Sequence, residues 1–219
     1  MRMVIVDKGN SRSEQQYQQL AQQVQQKQID LVLFVGVEQH QQSFRAGVAL
    51  DHYLLADGIT RLYQDNGAYQ CQRFFEKAWS GVFWTTCLYA QYHVGQALLC
   101  RPAIVRIWYR ALGPQVKLVV IELVHQVFAI IATAKPEQMH QKYLRGALDL
   151  LRAQVKPVIL VYPNQLRLCI PNGYWQMLRL TSQPGWEREL AVLVDFTSKE
   201  LRWKRWHDSW PIILIEIEH

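Results

Sequence analysis

The chain has 219 residues, half of them apolar and 19% charged, with a formal net charge of +6. That length builds one generous domain or two small ones around a real core, and the composition excludes a disordered polymer. Cys71, Cys87, Cys100 and Cys169 are scattered, with no C-x-x-C pair and no histidine nearby at metal spacing. They read as reduced, mostly buried thiols of a cytoplasmic protein.

The opening "MRMVIVDKGN" loses its apolar run at Asp7, which excludes a signal peptide, and "MRMVIV" reads as a strand. Ser11 and Glu14 fit a capping box for the helix that follows, which places Tyr17, Leu20, Ala21 and Val24 on one face. Its outer surface is almost pure glutamine. "IDLVLFVGV" is then a fully buried strand, so the first unit is β-α-β and parallel. Residues 43–56 look helical, and "TRLYQDNGAYQCQRF" looks like a hairpin turned at Asn66-Gly67.

Ala78 to Cys100 carries no formal charge and is long enough to span a bilayer. Ser80, Thr85, Thr86, Gln91, His93 and Gln96 are too costly for hydrocarbon, so a buried or groove-lining helix in a protein outside the membrane is the preferred reading. From Ala103 the apolar period becomes two. "AIVRIWYRAL", "QVKLVVIELV" and "QVFAIIATA" read as three strands, the first two joined at Gly113-Pro114. Pro136 opens a helix with an apolar stripe of Met139, Tyr143, Ala147 and Leu150. "KPVILVY" and "QLRLCI" pair about Pro163-Asn164, and "YWQMLRL", "LAVLVDF" and "PIILIEIE" follow as later strands. The expected fold is α+β, an N-terminal β-α-β unit followed by a mostly antiparallel sheet with helices packed on one face. Two interlocked lobes are expected, an α/β lobe at 1–100 and a basic α+β lobe at 101–219.

Charge is placed unevenly. Residues 1–100 hold eight Lys/Arg and eight Asp/Glu, whereas residues 101–219 hold sixteen against ten. Stretches 77–121 and 150–186 contain no carboxylate. A basic half beside a neutral half suits an anionic partner, most often nucleic acid, although a basic surface also serves plain solubility.

Catalytic motifs are weak. Glu122, near the end of an apolar strand, stands where a nuclease core of the restriction-endonuclease type places Glu-x-Lys. Val124 occupies the lysine slot, and no aspartate stands at the preceding position, so an ordinary strand end is the preferred reading. Asp7-x-Gly9-Asn10-Ser11 resembles the phosphate-binding turn of sugar-kinase and actin-like ATPases over ten residues. A helix follows it instead of that family's second strand, which favours a capped turn. His125, His140 and His207 have no partner at metal spacing, and the adjacent residues His207, Asp208 and Ser209 cannot form a triad.

The basic-aromatic clusters carry the strongest signal. Alternation puts Arg106, Trp108 and Arg110 on one strand face, with Val105, Ile107 and Tyr109 on the face taken as core. Arg202, Trp203, Lys204, Arg205 and Trp206 form a second cluster. Cations beside indoles suit phosphates and stacked bases. The sequence therefore predicts a non-catalytic nucleic-acid-binding subunit of a nucleoprotein assembly, using these eight residues, with no metal, cofactor or membrane. An alternative is a protein-interaction subunit, because the order helix, three strands, helix, two strands resembles small secretion-chaperone-like modules. A divergent metal-dependent nuclease comes third.

Overall fold

Period-two apolar patterns dominate the chain and leave room for two helical stripes. The structure is a computed structural model that describes residues 1–7, 13–40, 52–55, 75, 79–88, 92–114, 116–133, 139–163, 175–180, 190–195, 200–206 and 212–218. These residues form thirteen strands in two sheets and two helices. Met1–Ala103 with Trp203–Ile215 make one compact unit, and Ile104–Arg202 with Glu216–His219 make the other.

In the seven-stranded sheet, β1 (Arg2–Asp7) runs parallel to β2 (Leu31–His40), as the β-α-β reading expects. The order is completed by β3 (His52–Leu55), β4 (Ser80–Leu88), β5 (Tyr92–Cys100), β12 (Glu200–Arg205) and β13 (Ile212–Glu218), arranged β12-β13-β1-β2-β5-β4-β3. Helix α1 (Glu14–Gln26) covers one face. Its Tyr17, Leu20 and Val24 meet Val4, Val6, Val32, Phe34 and Val37 of the sheet. Each such side chain contributes about 1.5–3 kcal/mol when fully buried. The helix begins one turn detail later than expected. Ser13, not Ser11, is the N-cap: its Oγ accepts from the Gln16 N–H at 3.3 Å, and Gln16 Oε1 accepts from the Ser13 N–H at 2.9 Å.

The six-stranded sheet contains β6 (Ile104–Gly113), β7 (Val116–Leu123), β8 (Val127–Thr133), β9 (Val158–Pro163), β10 (Trp175–Leu180) and β11 (Leu190–Asp195), in the order β10-β11-β9-β8-β7-β6. The predicted meander β6-β7-β8 is present and antiparallel. Helix α2 (Gln141–Arg152) crosses from β8 to the parallel β9 and packs beside β6. Its buried stripe is Leu144, Ala147, Leu148 and Leu151, so Tyr143 and Leu150 of the expected stripe are exposed.

The α+β expectation is corrected: the protein is mostly β, with two sheets. The decisive segment is the uncharged run 78–100, which forms β4 and β5 instead of one helix. Val82, Phe83, Trp84, Thr85, Thr86, Tyr92 and Val94 are β-branched or aromatic and prefer a pleated surface to a helix. Val82 pairs with Leu98 and Trp84 with Gln96, and all four are buried. Part of the predicted helix at 43–56 is the strand β3, with the rest outside the described residues, as are the hairpin at 60–74 and "QLRLCI". "ELRWKR", treated in the sequence only as a charge cluster, is the strand β12. Among the described residues no helix is long and apolar enough to cross a membrane.

Candidate functional site

The parallel pair β1–β2 is in register from Met3 opposite Leu31 to Asp7 opposite Val35, and β2 then runs on past the end of β1 to His40, still paired with β5. Beyond Val35 the pairing of β2 with β5 slips by one residue, leaving Gly36 extra. Gly36 has φ 73°, a left-handed conformation that a Cβ would strain. On the other side of β5 the pairing with β4 slips as well, between Thr85 and Cys87. Both slips fall against Gly95 and its neighbours. Bulges bend and twist a strand pair, and two of them on either side of one strand bend the sheet along a single line.

Past that line the strands carry chemistry. Glu38 lies opposite Val94, Gln39 opposite His93, and His40 opposite Tyr92. Alternation from Val6 and Val37, which pack under α1, puts Asp7, Glu38 and His40 on the other face of this corner, whereas His93, opposite Gln39, falls on the α1 side. Asp7, Glu38 and His40 are of the residue types that hold hard cations and move protons. Immediately before the bend the sheet is locked: buried Trp84 donates its Nε1–H to Oε1 of buried Gln96 at 2.8 Å. Sequence reasoning weighed Asp7 only as a turn residue and passed over Glu38, His40 and His93. The available signal was a glycine interrupting a buried apolar run just before Glu-Gln-His.

The predicted site residues divide between the two sheets. On β6, Arg106 Nε and Nη2 donate to Glu122 Oε1 at 3.2 and 2.5 Å, and Trp108 Nε1 donates to the same oxygen at 3.2 Å. These bonds, led by the Arg106 guanidinium, hold the Glu122 carboxyl below the usual carboxylate range against the opposing effect of burial. Three donors from β6 thus converge on one oxygen of Glu122. Trp108 packs against the core under α2, while Val105 and Tyr109 are 60% and 57% exposed, so the expected core face of β6 is reversed. Arg110 is exposed beside α2.

On β12, Arg202 and Lys204 are exposed, and Trp203 and Arg205 alternate with them. Trp206 packs partly into the core of the first unit, with Lys27 Nζ 4.8 Å from its ring centroid. His125 and His140 are exposed, and His207 lies outside the described residues. Cys100 is free and buried, and burial pushes its thiol up to about 12. Among the described residues no three His, Cys, Asp or Glu are grouped to hold a metal ion.

No protein-family model matches the sequence, and no curated protein resembles it. Solved structures do. An endonuclease/exonuclease/phosphatase family protein from Leptotrichia buccalis matches over 100% of both chains, with TM-score 0.61 and 13% identity. A mannosyl-6-phosphatase from Bacteroides thetaiotaomicron matches over 100% of both chains at 0.54 and 10%. A 3′ phosphatase from Neisseria bound to a product DNA hairpin matches over 100% of both chains at 0.52 and 10%. At these identities the likeness shows the fold. It overturns the sequence-based reading of a non-catalytic nucleic-acid-binding subunit, since the proteins sharing this fold are named for nuclease or phosphatase activity.

Proposed function

We propose that this chain hydrolyses phosphate esters, as a nuclease or phosphatase, at the bent corner of its seven-stranded sheet, and that nucleic acid is the substrate. The observation that carries the reading is that corner: the bulge at Gly36 carries Glu38 and His40 beyond the end of β1, on the sheet face that Asp7 shares. The full-length likeness to phosphoester-cleaving proteins supports it as an analogy of fold.

Ester hydrolysis requires a deprotonated water, a protonated leaving oxygen and neutralisation of the phosphate charge. Asp7 and Glu38 supply hard oxygen donors, the kind that suits Mg²⁺ or Mn²⁺, and would hold such an ion. Bound there, it would lower the pKa of the attacking water and polarise the ester. His40, on the same sheet face as Glu38, is assigned to proton transfer. The excess of cations in residues 101–219, and the segment Arg202, Trp203, Lys204, Arg205 and Trp206, favour a polyanionic substrate over a small sugar phosphate. A free, buried Cys100 agrees with a cytoplasmic location.

The test is hydrolysis of p-nitrophenyl phosphate, a 3′-phosphorylated DNA hairpin and single-stranded RNA, with Mg²⁺ or Mn²⁺. Turnover of at least one is expected, with kcat falling about 10²–10⁴-fold in Glu38→Gln and in Asp7→Asn. Absence of turnover on all three substrates, or full activity in both variants, overturns the reading.

A further inference from the structure

Cations on the helix-covered side of the six-stranded sheet fall into two kinds. Arg106 is matched by Glu122, and Arg152 by Asp149 at 3.5 Å. Arg110, Lys142 and Arg145 are exposed, and none has an ion pair with any described residue. Among the described residues, Lys142 makes only a ring contact, its Nζ 4.8 Å from the centroid of Tyr143.

These three are neighbours. Arg110 projects from β6 so that its Nη2 lies 3.7 Å from where a Cβ on Gly146 would sit. Lys142 stands one helical turn before Gly146 on the same face, and Arg145 precedes it directly. Asp149, one turn after Arg145, is the acid of α2 and is shared with Arg152, so the three cations outnumber it and repel one another, and a mildly basic surface needs no such clustering to stay soluble. An array of this kind is stabilised by an anion with regularly spaced charges.

We propose that Arg110, Lys142 and Arg145 form a binding surface for the phosphate backbone of a polynucleotide, engaged by long substrates and ignored by small esters. The proposal rests on the hydrolase reading for its biological purpose, though not for the binding itself. A membrane surface fits less well, because the apolar stripe of α2 (Leu144, Ala147, Leu148, Leu151) is buried against the sheet, and the exposed Tyr143 and Leu150 make no continuous apolar face to insert. The contact is with phosphates rather than bases, so it carries no sequence preference.

The experiment compares wild type with the triple variant Arg110→Gln, Lys142→Gln, Arg145→Gln, after matching their thermal unfolding. Fluorescence anisotropy with a labelled single-stranded DNA and a labelled hairpin is measured across a salt series. The variant is expected to bind roughly 10–100-fold more weakly at about 0.1 M salt, with the slope of log affinity against log salt reduced by about 2–3. Its KM on long DNA rises while turnover of p-nitrophenyl phosphate stays unchanged. An unaltered slope and KM overturn the surface, as does binding of phosphatidylserine vesicles through these residues without binding of DNA. Wild-type binding through these three residues with no hydrolysis of any ester sinks the hydrolase reading and leaves the surface standing. Hydrolysis with an unaltered slope does the reverse. If the triple variant unfolds, Arg110→Gln and Arg145→Gln singly are expected each to lower the slope by just under 1.

Discussion

The two helices perform one mechanical task with opposite surfaces. Each lays a stripe at helical spacing on a sheet, Tyr17, Leu20 and Val24 in α1 and Leu144, Ala147, Leu148 and Leu151 in α2. Outwardly α1 is nearly uncharged: Gln18, Gln22 and Gln25 line an open cleft of about 170 Å³ with Phe75 and Trp79. On α2 the outward positions include Lys142, Arg145 and Arg152 against Asp149 alone. Since α1 shows that this protein can solvate a helix with neutral carboxamides, the charge on α2 is more than a helix surface requires, as the proposed phosphate-binding surface expects. The helices also begin differently. Ser13 and Gln16 satisfy the first amides of α1 reciprocally, whereas the N-cap of α2, His140, makes no side-chain cap bond.

The largest expected effect tests whether the inner faces are equivalent. Leu20→Ala and Leu148→Ala each remove a buried side chain, 1% and 5% exposed, and are expected to cost about 2–5 kcal/mol in urea unfolding, without moving the salt dependence of DNA binding. A loss of DNA binding beyond the loss of folded protein in Leu148→Ala alone would break the separation between packing and charge. Next comes capping. Ser13→Ala is expected to cost about 1 kcal/mol, while His140→Ser, placing a hydroxyl where the backbone is already extended, is expected to gain up to about 1 kcal/mol. Equal and negligible effects at both positions would mean that tertiary packing alone fixes the helix starts.

Much of the backbone was legible because local pattern and final structure agree. The Met1–Val37 β-α-β unit, the meander from Ile104 to Thr133, and β9, β11 and β13 all follow from periodicity that tertiary packing reinforces. The run 78–100 misled because absence of charge says only that a segment is buried. Its β-branched and aromatic residues held the deciding information about which secondary structure does the burying. Strand order was not readable: β2 takes β5 as its neighbour across fifty residues of chain, which no local pattern encodes. The same holds for the corner of Asp7, Glu38 and His40, which exists only once Gly36 bulges and β5 arrives beside it. On β6, alternation correctly placed Arg106, Trp108 and Arg110 in one row. The side of that row was decided by α2, which covers Trp108 and leaves Val105 and Tyr109 outside.

Glu122 offers the finest adjustment of the comparison, because it is what separates a matched cation from the unmatched ones. Its side chain is 14% exposed and that of Arg106 is 65% exposed, so solvent screens much of the pair, and Glu122→Gln is expected to cost only about 0.5 kcal/mol at neutral pH. The Glu122 carboxyl is held below its ordinary value, so its stabilising contribution is complete above the unfolded pKa of about 4.3 and disappears as pH falls through the folded value. Wild type and variant should therefore differ in stability at pH 7 and converge in acid; a difference that persists at the lowest pH would assign the effect to packing. The substitution also releases Arg106 in the row with Arg110. If α2 and β6 present a phosphate-binding surface, the variant should bind DNA slightly more tightly, with a salt slope steeper by up to about 0.9, although it is the less stable protein. Stability and affinity moving in opposite directions is an outcome that a purely solvating set of charges does not produce.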